Sequence, residues 1–253
     1  MEIDWKAREV ASTLRVPPDL PVVVRVDGWG FQRLAEELNL TRPYDRRLAE
    51  ALVYAAKGVL EGDLGAKLAY CFSDEISFIF RPPLPFSGRI EKLGSLTASV
   101  AAVRVSRYLS EALDRDVEAV FDGRVVLIAP GEERLYLAWR QAEALRNHLN
   151  SYALYALERG KGLTRREAAE HLKGLKSEQL RRVIVKYLGI EPESTPEWQR
   201  LGILLYFRRV QLWGYNPVTG ERTSYTRRRL VEDWSPPIFK SLSSSEFLKR
   251  LLD

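Results

Sequence analysis

Pro21-Val-Val-Val-Arg-Val-Asp27 is a β-branched apolar run, short enough to be a buried strand, and it ends on a carboxylate followed at once by Gly28-Trp29-Gly30. The glycines break the strand and allow close backbone approach. Two helical stretches follow, about 31–39 and 44–61, separated by Thr41-Arg-Pro43. The second carries apolar residues at Leu48, Leu52, Ala55, Ala56 and Val59, a stripe suited to packing on a sheet. Lys67–Phe72 and Ile76–Phe80 read as two more short strands, with Ser73-Asp74-Glu75 turning between them. An amphipathic helix over 89–113 precedes 117–129, a strand pair or bulged strand containing Asp122-Gly123. The order β-α-β-β-α-β predicts an antiparallel ferredoxin-like sheet with helices on one face, class α+β.

Working outward, residues 1–20 predict a short helix ending at Val16-Pro-Pro-Asp19. Beyond 132 the chain predicts helices over about 135–159, 164–173 and 176–188. Two strands then follow, about 202–213 and 222–232, around the turn Asn216-Pro-Val-Thr-Gly220. The expected organisation is a catalytic region at 1–131 and a helical and β-hairpin region at 132–253 packed on it. No flexible linker separates the two.

In such a sheet the first and third strands are antiparallel neighbours, so Asp27 should meet Asp74 and Glu75. Clustered carboxylates repel unless cations lie between them. Mg²⁺ takes oxygen ligands and shares substrate phosphates, so two ions could serve an in-line phosphoryl displacement. The bland alternative is that Asp27 caps a helix and Ser73-Asp74-Glu75 is only a polar hairpin. A net charge of +5 permits a nucleic-acid partner without requiring one. One cysteine, Cys71, excludes an intramolecular disulfide framework, and no apolar run is long enough to span a membrane. With a charged N-terminus, these features make a cytoplasmic location the expectation.

Several ordered blocks also resemble the tRNA-His guanylyltransferase superfamily. They are Val24-Arg-Val-Asp-Gly-Trp-Gly-Phe31, Arg42-Pro-Tyr-Asp45 and Ala69-Tyr-Cys-Phe-Ser-Asp-Glu-Ile-Ser-Phe78, then Phe121-Asp-Gly-Arg124, Tyr136-Leu-Ala-Trp-Arg-Gln-Ala142, Gly162-Leu-Thr164 and Trp198-Gln-Arg-Leu-Gly202. The resemblance implies a polymerase-palm fold that adds nucleotides to the 5′ end of tRNA. The RNA end is activated with ATP, and the 3′-hydroxyl of an incoming GTP or other NTP attacks it.

Residue by residue, the resemblance implies that Asp27, the Gly28 carbonyl and Asp74 hold two Mg²⁺ ions, with Glu75 as a further catalytic carboxylate. The nucleotide contacts implied are Gly28, Trp29, Gly30, Phe31, Arg42, Asp45, Ser73, Arg89 and Lys92, with Arg25 in support. The expected RNA contacts are Arg140, Arg146, Asn147, Lys176, Arg227 and Arg229. Strand alternation would put the last two on one face.

Where eukaryotic members carry a histidine, this chain has Leu145, followed by Arg146-Asn147. That departure resembles the branch of "like" proteins and favours template-directed 5′-end repair, with dedicated addition of G at position −1 of tRNA-His as the alternative. A homotetramer is implied by the resemblance. His148 and His171 read as ordinary helix residues, and Trp139 and Trp198 as packing residues.

Overall fold

The computed structural model describes residues 3–252. Its centre is a six-stranded antiparallel sheet in the order β4-β1-β3-β2-β5-β6. The strands are β1 (Val22–Trp29), β2 (Leu68–Phe72), β3 (Glu75–Phe80), β4 (Val120–Leu127), β5 (Ile203–Tyr215) and β6 (Arg222–Asp233). The helices are α1 (Phe31–Glu37), α2 (Arg46–Glu61), α3 (Ile90–Leu113), α4 (Glu133–Lys161), α5 (Arg165–Leu172), α6 (Ser177–Leu188), α7 (Glu197–Leu201) and α8 (Ser243–Leu252). The β-α-β-β-α-β order is present, with β1 and β3 adjacent and antiparallel.

Alternation along β1 divides the core. Val22, Val24 and Val26 join the cluster under α2 and α3, whereas Val23 faces the cluster closed by α4 and α8. The two helices of the β-α-β-β-α-β unit, α2 and α3, thus share one face as expected, and the C-terminal region covers the other with α4 and α8. The run Leu-Ala-Tyr-Cys-Phe of β2 is buried throughout because β5 pairs on its outer side, from Leu68↔Tyr206 to Cys71↔Ile203. The two C-terminal strands thus extend the sheet begun by the first half of the chain.

Residues 3–20 form a 3-10 turn at Lys6–Arg8 and otherwise irregular backbone, rather than the helix expected. The prolines at 17 and 18 lack the N–H groups that continuing a helix would use. The 117–129 segment contains a single strand, β4, which pairs with β1 along its whole length. Asp122-Gly123 causes no reversal because Gly123 sits directly against Gly94 of α3, where a Cβ would lie 2.4 Å from the Gly94 oxygen. The last helix, α8, has no counterpart in the sequence reading. It buries Leu248 and Leu252.

Candidate active site

The carboxylates converge as topology requires. Asp27 is the cross-strand partner of Glu75 on one side and of Asp122 on the other, so three acids share one rung of the sheet. Ser73 and Asp74 form the two-residue turn between β2 and β3, Ser73 with φ 54°. The Gly28 N–H donates to the Asp74 carbonyl at 3.0 Å, tying that turn to the end of β1.

Like charges opposite one another destabilise a sheet unless they are compensated. The two outer acids are compensated. Arg140 grips Glu75 with both arms of its guanidinium, Nε to Oε1 at 2.9 Å and Nη2 to Oε2 at 2.6 Å, and Arg25 Nε lies 3.9 Å away. The Ser77 hydroxyl also donates to Glu75 and pairs with the Tyr136 hydroxyl. Asp122 accepts from Arg124 at 3.0 Å. Asp27, in the middle, and Asp74, at the turn, have no ion-pair partner among the described residues. Burial, helped by the negative charge of Asp27 and opposed by a hydrogen bond from Ser73, holds the Asp74 carboxyl above its ordinary value.

Two carboxylates without ion-pair partners, on strand ends that the Gly28 N–H ties together, form a hard-oxygen donor set of the kind Mg²⁺ takes, with the Gly28 carbonyl as a further oxygen. Asp27, Gly28 and Asp74 fit the group. Glu75 does not contribute a free carboxylate, because Arg140 already occupies both of its oxygens.

Gly28 is dictated by packing: a Cβ there would lie 2.3 Å from the Phe31 ring, which is buried edge-on against Phe121. Gly30, at φ 72°, starts α1. Beside Asp74 opens a cleft of about 240 Å³ whose walls include Phe31, Leu48, Leu52, Ser73, Ser151 and Trp198. Arg42 stands near this cleft in a cis Arg42–Pro43 link and is forked onto Glu158 of α4, Nη1 to Oε1 at 3.1 Å. Trp29 is 69% exposed.

Other expected contacts are placed differently. Arg140 is 6% exposed with its Nε and Nη2 bound to Glu75, so it is an internal counter-ion rather than the RNA contact expected. Asp45 lines the cleft, but its carboxylate caps α2: it accepts from the Thr41 N–H at 2.7 Å and from Arg47. Burial would raise its pKa, yet those bonds hold it at about 2.

Arg89 and Lys92 lie at the start of α3, tied by the Arg15–Arg89 bridge to the segment entering β1. Two residues beyond Lys92, Gly94 packs on Gly123 of β4, the cross-strand partner of Val26 beside Asp27. Arg146 is exposed and paired with Glu143, Asn147 is half-buried, and Lys176 is exposed at the start of α6. Arg227 and Arg229 are exposed on one face of β6, as alternation predicts.

The histidine reading holds for His148, which is buried against Thr195 at 2.8 Å and stacked beside Tyr44 and Tyr152. Burial, with the charge of Arg200, lowers its pKa to about 4. Trp198 packs as expected against Tyr44 and Trp234. Trp139 is half-exposed and lies beside Arg140 and Arg25.

The sequence reading missed the clamp itself. The signal was there: Tyr136, Leu137, Arg140, Gln141, Ala144 and His148 form the buried stripe of α4, and an arginine on such a stripe requires a carboxylate partner.

The chain matches two family models, "tRNAHis guanylyltransferase" over residues 5–129 and "Thg1 C terminal domain" over 132–232. A probable tRNA(His) guanylyltransferase of Drosophila melanogaster is 32% identical over 92% of this chain and 77% of its own length. One from Mus musculus is 34% identical over 77% and 67%. Among solved structures, a bacterial tRNA(His) guanylyltransferase-like protein in complex with ATP has a TM-score of 0.76 at 24% identity, over 98% of this chain and 97% of that one. The Saccharomyces cerevisiae enzyme has a TM-score of 0.69, also at 24% identity, over 80% and 92%. The match of both halves, in order and over nearly the whole chain, shows that the protein belongs to the tRNA-His guanylyltransferase family and is a nucleotidyltransferase.

Proposed function

We propose that the chain adds a guanylate to the 5′ end of tRNA-His, at position −1. The observation that carries this reading is the pair of uncompensated carboxylates, Asp27 and Asp74, beside a nucleoside-sized cleft in a chain whose curated relatives bear that activity. In this proposal Asp27, the Gly28 carbonyl and Asp74 hold two Mg²⁺ ions. Bound there, Mg²⁺ would supply Lewis-acid neutralisation of phosphate charge.

The protein's own part is positioning and exclusion of water. The cleft takes the nucleoside of a triphosphate, whose phosphates lie toward Ser73 and the strand end. Arg42 faces the 5′-phosphate of the RNA with the guanidinium edge that Glu158 leaves free. Glu75, held by Arg140, keeps the floor of the site rigid without binding the ions. ATP for activation and GTP for addition are the proposed substrates, in keeping with the ATP and GTP complexes of the bacterial like proteins.

A second reading, template-directed repair of 5′-truncated tRNAs, is favoured by one feature. The family's histidine position holds Leu145, 39% exposed and followed by Arg146-Asn147. Incubation with labelled GTP, ATP, Mg²⁺ and either intact tRNA-His or a tRNA lacking its first nucleotide separates the two. Label preferentially on tRNA-His supports guanylate addition, and label preferentially on truncated RNAs of any acceptor identity supports repair. Asp27→Ala and Asp74→Ala should each lower incorporation by about 10³-fold or more, with the melting temperature unchanged or raised as like charge is relieved. A variant of either residue with full activity would sink the metal assignment.

A further inference from the structure

Arg42 and Glu158 stand 116 residues apart in the sequence, and the fold joins them in one ion pair. Arg42 Nη1 donates to Glu158 Oε1 at 3.1 Å, and Nη2 lies 2.5 Å from Oε2, the parallel arrangement of a forked pair. The Glu158 side chain is 13% exposed and that of Arg42 39%. Among the described residues neither has another ion-pair partner. The carboxylate is thus the buried member and the guanidinium the one that reaches solvent. An arginine that swung away would strand a buried charge, so Arg42 stays where Glu158 puts it.

The segment that carries Arg42 is held at two other points. Asp45 accepts from the Thr41 N–H at 2.7 Å, and the Tyr44 ring packs beside His148 and Tyr152 of α4, with centroids 6.1 Å from each. Those contacts fix the backbone but not the long Arg42 side chain, whose rotamer freedom only a partner can remove. Ser151 of α4 lines the cleft, and Glu158 follows it on the same helix face (158 − 151 = 7 residues), about 10 Å along the axis at about 1.5 Å per residue. Arg42 itself does not line the cleft, so the pair stands at its rim.

We infer that Glu158 is a positioning residue for the 5′ end of the RNA. By holding one edge of the Arg42 guanidinium, it presents the remaining N–H groups to a terminal phosphate at the rim. Carboxylate and phosphate take different edges of one planar group, so they bind together rather than compete. The inference rests on the proposed function, which brings that phosphate to Arg42.

The test reads binding without turnover, using the full chain and one tRNA transcript prepared with either a 5′-monophosphate or a 5′-hydroxyl. In the wild type the phosphate should tighten binding by about tenfold. Glu158→Gln, similar in size but unable to accept a fork, should bring that ratio to within about twofold of one, with affinity for the 5′-hydroxyl transcript unchanged. Glu158→Asp, which keeps the charge on a shorter arm, should recover part of the preference. Arg42→Gln should abolish it, and adding Glu158→Gln to Arg42→Gln should remove nothing more, because the carboxylate acts only through the arginine. Any loss of stability lowers both affinities alike and leaves their ratio untouched, so a merely structural Glu158 would not move this readout.

A ratio in Glu158→Gln equal to that of the wild type would overturn the inference. So would a larger ratio, which would make Glu158 a competitor of the phosphate, or a ratio of one in the wild type, which would take Arg42 off the RNA end. Failure of the wild type to extend any RNA, with the phosphate preference present and lost in Glu158→Gln, would count against the proposed reaction alone.

Discussion

The most informative single residue is Arg140. It is buried on α4 and delivers two hydrogen bonds to Glu75. Removing one partner of such a pair strands the other charge, at a cost of about 3–5 kcal/mol, whereas replacing both with apolar groups is nearly neutral. Arg140→Met should destabilise the protein by that amount in urea unfolding, and Glu75→Met/Arg140→Met should restore at least half. Additive losses would show that the pair does not act as a unit.

His148 sets a pH dependence. Its folded-state pKa is about 4 against an ordinary 6.5, so between those values the unfolded chain binds a proton that the folded chain refuses. Stability is full above about pH 6.5 and falls as pH drops toward 4, by about 3 kcal/mol in total. His148→Gln should flatten that stretch of the stability–pH curve, and an unchanged slope would refute the assignment.

At the scale of elements, the junction from β1 into α1 is the tightest constraint on the site. Gly28→Ala would drive a methyl group into the Phe31 ring and shift the start of α1, and with it one wall of the cleft. The expected result is a KM for nucleotide raised about tenfold or more, checked by steady-state kinetics. A KM within twofold of wild type would contradict the steric argument.

The same junction shows why much was legible. Strand period, glycine breaks and the acidic strand ends lie within short windows, so the sheet order and the meeting of Asp27 with Asp74 followed from topology. The helix positions of 133–188 followed equally from their apolar stripes. Other features depend on which atoms of distant elements touch. That Asp45 spends its carboxylate on Thr41 and Arg47, and that Glu75 is claimed across 65 residues by Arg140, are facts of side-chain reach. α8 was missed because its serine-rich start hides a stripe of only a few apolar residues.

For the whole molecule, α8 seals the second core by covering Phe239 and the Tyr206 side of the sheet with Leu248, Leu252 and Phe247. Among the described residues, no helix is long and apolar enough to cross a membrane. Truncation after Lys240 should cost roughly 3–5 kcal/mol from the two buried leucines alone. That is a fall of about 10 °C or more in melting temperature by calorimetry. An unchanged transition would mean that α8 is not part of the folded unit. The homotetramer implied by the resemblance is a separate proposal, which light scattering of the intact protein would test by mass.

The pairing of β2 with β5 also governs how the protein is made. A ribosome that has released residues 1–131 has supplied both catalytic aspartates, yet β2 still presents an open apolar edge, a template for pairing with the wrong chain. That edge is closed only when Ile203–Tyr206 emerge, late in synthesis. Nascent chains therefore pass through a long interval in which the future active site is aggregation-prone, and chaperone capture should concentrate on chains ended between residues 131 and 203.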